Sequence, residues 1–229
     1  MFLSERRGRL NAFYLIESRA KSRATANRPF LLFGDKSYTY ADLYDRALRY
    51  GTWLRETMGV KEKDIVAVNS MNSDNYLFLW FGLWAIGAVP AFINYNLRGD
   101  ALVHCVRKAK SNLMFVDPAV AEALTEDVRG SLSGVRIELM DEKFEADAIA
   151  TDPVRYPDEI RYTNRGEDVA ILIFTSGTTG LPKAAVVSWA KVTVAGGFVP
   201  VWTKLRSTDV YYTVSQCMLP ERRRSRWPG

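Results

Sequence analysis

Apolar residues change their spacing several times along this chain, and each change predicts a different element. Leu43, Ala47, Tyr50, Leu54 and Met58 recur at helical spacing. Thr39 and Asp42, three residues apart just before them, read as a capping box that starts an amphipathic helix. Residues 65–68 form a short run rich in β-branched side chains and bounded by polar groups, as expected of a strand buried on both faces of a parallel sheet. Residues 89–93, 113–116 and 135–139 are further strand candidates. Helical stretches near 73–86, 100–109 and 118–126 fall between them. The alternation is a βαβ series, so the predicted fold is α/β, with mostly parallel sheets flanked by helices.

Residues 76–93 are eighteen in a row without a charge, the minimum for a helix that spans a bilayer. Gly87 and Pro90 interrupt this run, so in a βαβ context it divides into a buried helix, a turn and a buried strand. A membrane span is the alternative, because such residues are tolerated inside spans. Trp80 and Trp84, one helical turn apart, are expected in the core. Residues 140–166 are acidic and then polar, without clear period, and read as a long surface connection. Residues 19–28 read as a loop or a frayed helix end. No internal repeat or firm domain boundary is visible.

Composition adds exclusions. At 229 residues, with 48% hydrophobic and 25% charged, the chain has ordinary globular content and can bury one substantial core. Its two cysteines, Cys105 and Cys217, suggest neither a disulfide framework nor a zinc site, and a reducing intracellular compartment fits. Glu5, Arg6, Arg7 and Arg9 have no apolar run behind them, which is unlike a secretory signal, so a start on the cytosolic side is expected. Residues 221–229 hold four arginines against one glutamate and so contribute +3 of the net charge of +5. The remainder is nearly balanced and shows no basic stripe, so no nucleic-acid partner is expected.

The chemistry concentrates after an apolar strand at 169–174. It runs into Thr175, Ser176, Gly177, Thr178, Thr179, Gly180, Leu181, Pro182 and Lys183, and a strand-like stretch follows at 184–187. Two glycines allow positive φ and a close approach of backbone N–H groups to an anion. Four hydroxyls add donors, Lys183 can bring a positive charge, and Pro182 stiffens the exit. These are parts of a polyphosphate cradle. The spacing is not that of a Walker A loop, since Lys183 follows Pro182 and precedes Ala184, which argues against P-loop kinases and GTPases. A hydroxyl- and glycine-rich hairpin without a ligand is the other reading.

The run TSGTTGLPK at 175–183 resembles the signature loop of the adenylate-forming superfamily of acyl-CoA synthetases, luciferases and peptide-synthetase adenylation domains. INYNLRGDALVHC at 93–105 is similar to the corresponding stretch of very-long-chain acyl-CoA synthetases and fatty acid transport proteins. NAFYLIESRA at 11–20 and GDKSYTYADL at 34–43 resemble that family's N-terminal lead-in. The resemblance implies a partial AMP-binding N-terminal domain over 1–215, followed by a divergent basic tail at 216–229. It implies ATP-dependent formation of an acyl-adenylate from a long or very long chain fatty acid, then thioesterification to coenzyme A, with Mg²⁺ as companion of ATP and a coupling to fatty acid uptake. Thr175, Ser176, Gly177, Thr178, Thr179 and Gly180 would wrap the ATP phosphates with Lys183 beside them. Peripheral association with the cytosolic face of a membrane (endoplasmic reticulum, peroxisome, lipid droplet or plasma membrane) is also implied.

Other residues in these segments have plainer readings. Residues 94–98 read as a polar turn and cap ahead of the next helix. His104 is the sole histidine and is expected to be a packed or surface residue. Its neighbour Cys105 lies about 100° away around a helix, so joint metal ligation is not expected.

After a strand expected at 209–215, family members continue with a Pro-Leu-Tyr-His-like segment. This chain passes instead through Gln216 to Pro220 into arginines. The expectation is a truncated chain that forms no acyl-CoA alone and is poorly soluble. The rival from another class is a non-catalytic nucleotide-binding remnant or membrane-associated partner. A closer rival adenylates an aromatic or amino acid.

Overall fold

The computed structural model describes residues 9–161, 165–175, 180–206 and 208–212. A helix, α1 (Phe13–Lys21), leads to a two-stranded antiparallel hairpin of β1 (Pro29–Phe33) and β2 (Lys36–Thr39), and then to α2 (Tyr40–Glu56). The capping box forms as expected. The Thr39 hydroxyl accepts from the Asp42 N–H at 3.1 Å, and the Asp42 carboxylate accepts from the Thr39 N–H at 2.8 Å.

Next come β3 (Ile65–Asn69), α3 (Asp74–Ala85), β4 (Val89–Phe92), α4 (Gly99–Ala109) and β5 (Leu113–Val116). A 3₁₀ turn (Pro118–Ala123), α5 (Glu126–Ser131), β6 (Arg136–Leu139) and α6 (Glu142–Ala150) follow. A second 3₁₀ turn (Asp158–Arg161), β7 (Val169–Thr175), β8 (Lys183–Ser188) and α7 (Trp189–Thr203) complete the series.

Six strands make one sheet in the order β6-β5-β3-β4-β7-β8. The first five are parallel, and β8 returns antiparallel along β7. The alternation of side chains along the central strands explains why both faces are covered. Val66, Val68, Phe92, Leu113 and Phe115 enter one apolar cluster with α2, α3 and α6. Ala67, Ala91, Met114 and Val116 enter a second cluster with α4 and α5 on the other face. β4 and β5 are buried along their whole length, and full burial of one large apolar side chain contributes about 1.5–3 kcal/mol.

The uncharged run at 76–93 divides as a helix, a turn and a strand. α3 ends at Ala85, Gly87 takes φ +75°, and β4 begins at Val89. A side chain at Gly87 would put its Cβ 1.9 Å from the Ile160 carbonyl oxygen, so the turn needs glycine on both steric and backbone grounds. No helix among the described residues is long and apolar enough to cross a membrane. Trp84 is buried against Trp189, their ring centroids 5.0 Å apart, while Trp80 is half-buried beside Trp84 and Phe92.

Three stretches depart from the sequence reading. Residues 140–166 are no loose connection. Asp141 caps α6, whose Phe144 and Ala148 are buried, and Arg161 is 1% exposed. Its guanidinium donates to the Ala85 carbonyl at 2.6 Å and the Tyr156 carbonyl at 2.7 Å and lies 4.6 Å from the Phe13 ring centroid. Residues 118–126 split into a 3₁₀ turn and a new helix capped by the Thr125 hydroxyl, because Leu124 and Thr125 leave helical geometry. Residues 209–212, expected to begin a strand, pair with no strand among the described residues, and 213–215 lie outside them. α7, whose apolar residues show no one-sided pattern, buries Trp189 but leaves Val194, Phe198, Val201 and Trp202 exposed.

Charge fastens α1 to the segment after α6. Burial pushes the Glu17 carboxyl up, but hydrogen bonds from Arg155, Lys21 and Tyr44 outweigh it and hold its pKa down to about 2. The folded value lies below an unfolded value of about 4.3, so this contribution is fully present above that pH and is lost as pH falls toward about 2. Glu17→Gln is therefore expected to melt below the wild type at pH 6, and the gap should close as pH falls through that window. A gap independent of pH would refute the assignment.

A second expectation comes from the contact of α2 with α3. There an added Cβ at Gly82 would lie 2.8 Å from the Tyr50 Cβ. Gly82→Ala should cost about 1–3 kcal/mol in urea unfolding. Gly130→Ala, whose added methyl meets nothing within 4 Å, should leave stability unchanged or raise it by up to about 1 kcal/mol.

Candidate functional site

In an open parallel sheet the carboxyl ends of the strands form the edge where backbone and polar side chains are free to meet a ligand. The register places four strand ends on that edge. Asn69 of β3 pairs with Val116 of β5, Val68 with Phe92 of β4, and Phe92 with Ile173 of β7. Asn69, fully buried, donates through Nδ2 to the carbonyls of Ile93 at 3.5 Å and Asn94 at 3.2 Å, tying the exits of β3 and β4. Its Oδ1 has no hydrogen-bond partner among the described residues. Asp117, just past β5, accepts from the Met71 N–H at 3.2 Å and the Ser70 hydroxyl at 3.3 Å. Asn94 turns the chain by accepting from the Asn96 N–H at 2.9 Å. The expected turn at 94–98 is present, but the helix cap is not: Arg98, at the N-cap of α4, makes no side-chain cap and donates to the Tyr95 and Leu97 carbonyls.

The glycine-rich segment opens from this edge. β7 ends at Thr175 and β8 begins at Lys183, with the two residues directly paired across the antiparallel ladder. Residues 176–182 therefore bridge two adjacent strand ends. Ser176, Gly177, Thr178 and Thr179 lie outside the described residues. Gly180 has φ +151°, a backbone conformation that side-chain-bearing residues rarely adopt. Leu181 and Lys183 are exposed and Pro182 is buried. The pairing of Thr175 with Lys183 thus brings together the first and last of the predicted phosphate-binding residues. Lys183 enters no ion pair among the described residues.

On the neighbouring α4, Cys105 is buried, and burial pushes its thiol up to about 11, which disfavours the thiolate at neutral pH. His104 is half-buried, with Nε2 3.2 Å from the Pro182 carbonyl oxygen. Among the described residues, no group of three or more His, Cys, Asp or Glu side chains gathers in a way that could hold a metal ion. Sequence reasoning missed Asn69 and the His104 contact. An asparagine closing an apolar strand was the available signal for the first. The second joins residues 78 positions apart and left no local signal.

Comparison with known proteins bears on the family and the fold. The sequence profile described as AMP-binding enzyme matches residues 18–218. The very long-chain fatty acid transport protein of Cochliobolus heterostrophus is 33% identical over 190 residues, which cover 82% of this chain and 29% of that protein. Long-chain fatty acid transport protein 2 of Rattus norvegicus is 30% identical over 207 residues, covering 84% and 32%. A medium/long-chain fatty-acid–CoA ligase of Mycobacterium tuberculosis is 31% identical over 194 residues, covering 82% and 31%. The chain thus spans roughly a third or less of the length of these relatives.

Among solved structures, the fatty acyl CoA synthetase of Mycobacterium tuberculosis superposes with a TM-score of 0.71 at 19% identity, over 87% of this chain and 38% of that one. A benzoate CoA ligase from Burkholderia xenovorans LB400 gives 0.68 at 19%, over 82% and 36%. At such identities the likeness speaks for the fold. With a profile match over most of its length, a mostly parallel α/β sheet, and the signature segment set between paired strand ends, the chain belongs to the AMP-binding enzyme family, with fatty acid transport proteins among its homologues.

Proposed function

We propose that this chain is the phosphate-binding part of an ATP-dependent fatty-acyl-CoA ligase of the long or very long chain type. The observation that carries the reading is the pairing of Thr175 with Lys183 at the carboxyl edge of the sheet, which sets TSGTTGLPK between two strand ends. The relatives named for fatty acid transport and fatty-acid–CoA ligation support the choice of substrate. In the proposed reaction a fatty carboxylate oxygen attacks the α-phosphorus of ATP and pyrophosphate leaves. The thiol of coenzyme A then attacks the acyl carbon of the acyl-adenylate, AMP leaves, and the thiol proton passes to solvent.

Residues of this chain act on the phosphates. The hydroxyls of Thr175, Ser176, Thr178 and Thr179 and the backbone about Gly177 and Gly180 donate to phosphate oxygens, and Lys183 offsets their charge. The positive φ of Gly180 and the exposed Lys183, without an ion pair among the described residues, fit an anion at this place. Mg²⁺ bound with ATP would add charge neutralisation, and no residue of this chain is assigned to ligate it. We further propose that 1–215 act as one domain with 216–229 as a basic tail. Peripheral contact with the cytosolic face of a membrane would follow from the fatty acid substrate.

A second reading is non-catalytic nucleotide binding. In it the loop holds the phosphates and no group orients a carboxylate against the α-phosphate. One titration separates the possibilities. The chain is expected to bind Mg·ATP by calorimetry, and Lys183→Ala should weaken that binding by about tenfold or more, because a charge-assisted contact is lost. Binding with no acyl-adenylate formed from palmitate would favour the second reading. Equal affinity of wild type and Lys183→Ala would remove the lysine from the site.

A further inference from the structure

The segment INYNLRGDALVHC has no part in the proposed phosphate chemistry, yet one of its side chains touches the phosphate loop. From this contact we infer that His104 is a positioning residue that sets the orientation of the Pro182–Lys183 peptide, and with it the exit of the anion-binding loop. The inference rests on the reading of residues 175–183 as a nucleotide cradle.

A carbonyl oxygen only accepts, so at 3.2 Å from the Pro182 oxygen the Nε2 of His104 must carry the hydrogen. Both the neutral Nε2–H form and the imidazolium satisfy this. The chain has no cis peptide bond among its described residues. In a trans peptide the C=O and the following N–H point in opposite directions. Drawing the Pro182 carbonyl toward α4 therefore turns the Lys183 N–H away from α4 and fixes the plane from which the lysine side chain departs.

Besides the pairing of Lys183 with Thr175 and the burial of Pro182, this end of the loop has few other anchors among the described residues. Pro182 has no N–H to donate, Leu181 is 50% exposed, and nothing lies within 4 Å of where a Gly180 side chain would be. On the other side His104 is held firmly. Its neighbours Leu102, Val103, Cys105 and Val106 are all buried beneath the sheet, so α4 cannot follow the loop if the loop moves. A packed helix thus carries the donor, and the acceptor belongs to a buried proline between the exposed Leu181 and Lys183. An open groove of about 600 Å³ beside the contact is lined by Val103, His104, Arg107, Lys108 and Leu181, so an imidazole there is not crowded into place by packing alone.

Two measurements on the 229-residue chain test this. The first uses no nucleotide: amide hydrogen exchange at Leu181 and Lys183 in wild type, His104→Leu and His104→Gln. The leucine variant, which loses the donor, should exchange about fivefold faster at these amides. The glutamine variant, whose amide nitrogen can still donate, should stay within about twofold of wild type. Unchanged exchange in His104→Leu would overturn the anchoring. The second is Mg·ATP affinity, expected to fall between about three- and tenfold in His104→Leu and to recover in His104→Gln. Faster exchange with undiminished affinity would show that the anchor does not serve the anion, and would overturn the positioning role. If the wild type itself binds no Mg·ATP, the nucleotide reading fails and the positioning role falls with it. The exchange measurement then still decides separately whether His104 anchors the loop.

Discussion

Burial of the central strands on both faces is the constraint from which the rest of the structure follows. β3, β4 and β5 place successive side chains in two separate apolar layers, one under α2, α3 and α6 and the other under α4 and α5. Parallel strands cannot be joined by tight turns, so every connection must cross a face and can itself provide the cover. With both faces sealed, the polar ends of the strands gather at one edge. Asn69, Asn94, Asp117 and Thr175 stand there because no apolar layer can accommodate them. The candidate site is thus a consequence of how the core is closed.

The same cover depends on charged groups outside the sheet. Arg161 is almost wholly buried, yet its guanidinium holds the carbonyls of Ala85 and Tyr156 and lies over the Phe13 ring. Ala85 closes α3 just before the Gly87 turn that launches β4, so Arg161 helps fix where β4, and through it β7, takes its register. The Glu17–Arg155 pair secures α1 to the same segment, and Asp74 at the start of α3 accepts from Lys36 and Tyr38 of the hairpin. Burying such groups is tolerable because most of their donors are matched, the Nε of Arg161 being an exception among the described residues. At the opposite end of the sheet, the edge strand β8 and α7 keep Val186, Val194, Phe198, Val201 and Trp202 exposed, an apolar surface far less covered than the centre.

Much of this was legible in the sequence. Strand and helix spacing predicted α2, α3 and α4 and the strands β3 to β8 to within a residue or two, because a strand buried on both faces must be apolar throughout and a capped helix must carry its signal at its first turn. The composition of 175–183 was legible too, since glycines, hydroxyls and a lysine are what the proposed phosphate ligand would need whatever the surrounding fold. Local spacing could not show that residues 140–166 are packed. α6 buries only Phe144 and Ala148, too few to set a period, and Arg161 reads as a solvated residue until Ala85 and Phe13 are brought to it.

By itself, then, the sequence determined that this is an α/β protein carrying a glycine- and hydroxyl-rich run that ends in a lysine, because both properties are written in runs of neighbouring residues. Only the tertiary structure decided the strand order, the carboxyl edge on which the loop opens, the direct opposition of Thr175 and Lys183, and the contact of His104 with Pro182. These are relations between residues separated by tens of positions. They arise when apolar faces choose their partners, a choice made by the packing of the whole core and recorded in no single segment of the chain.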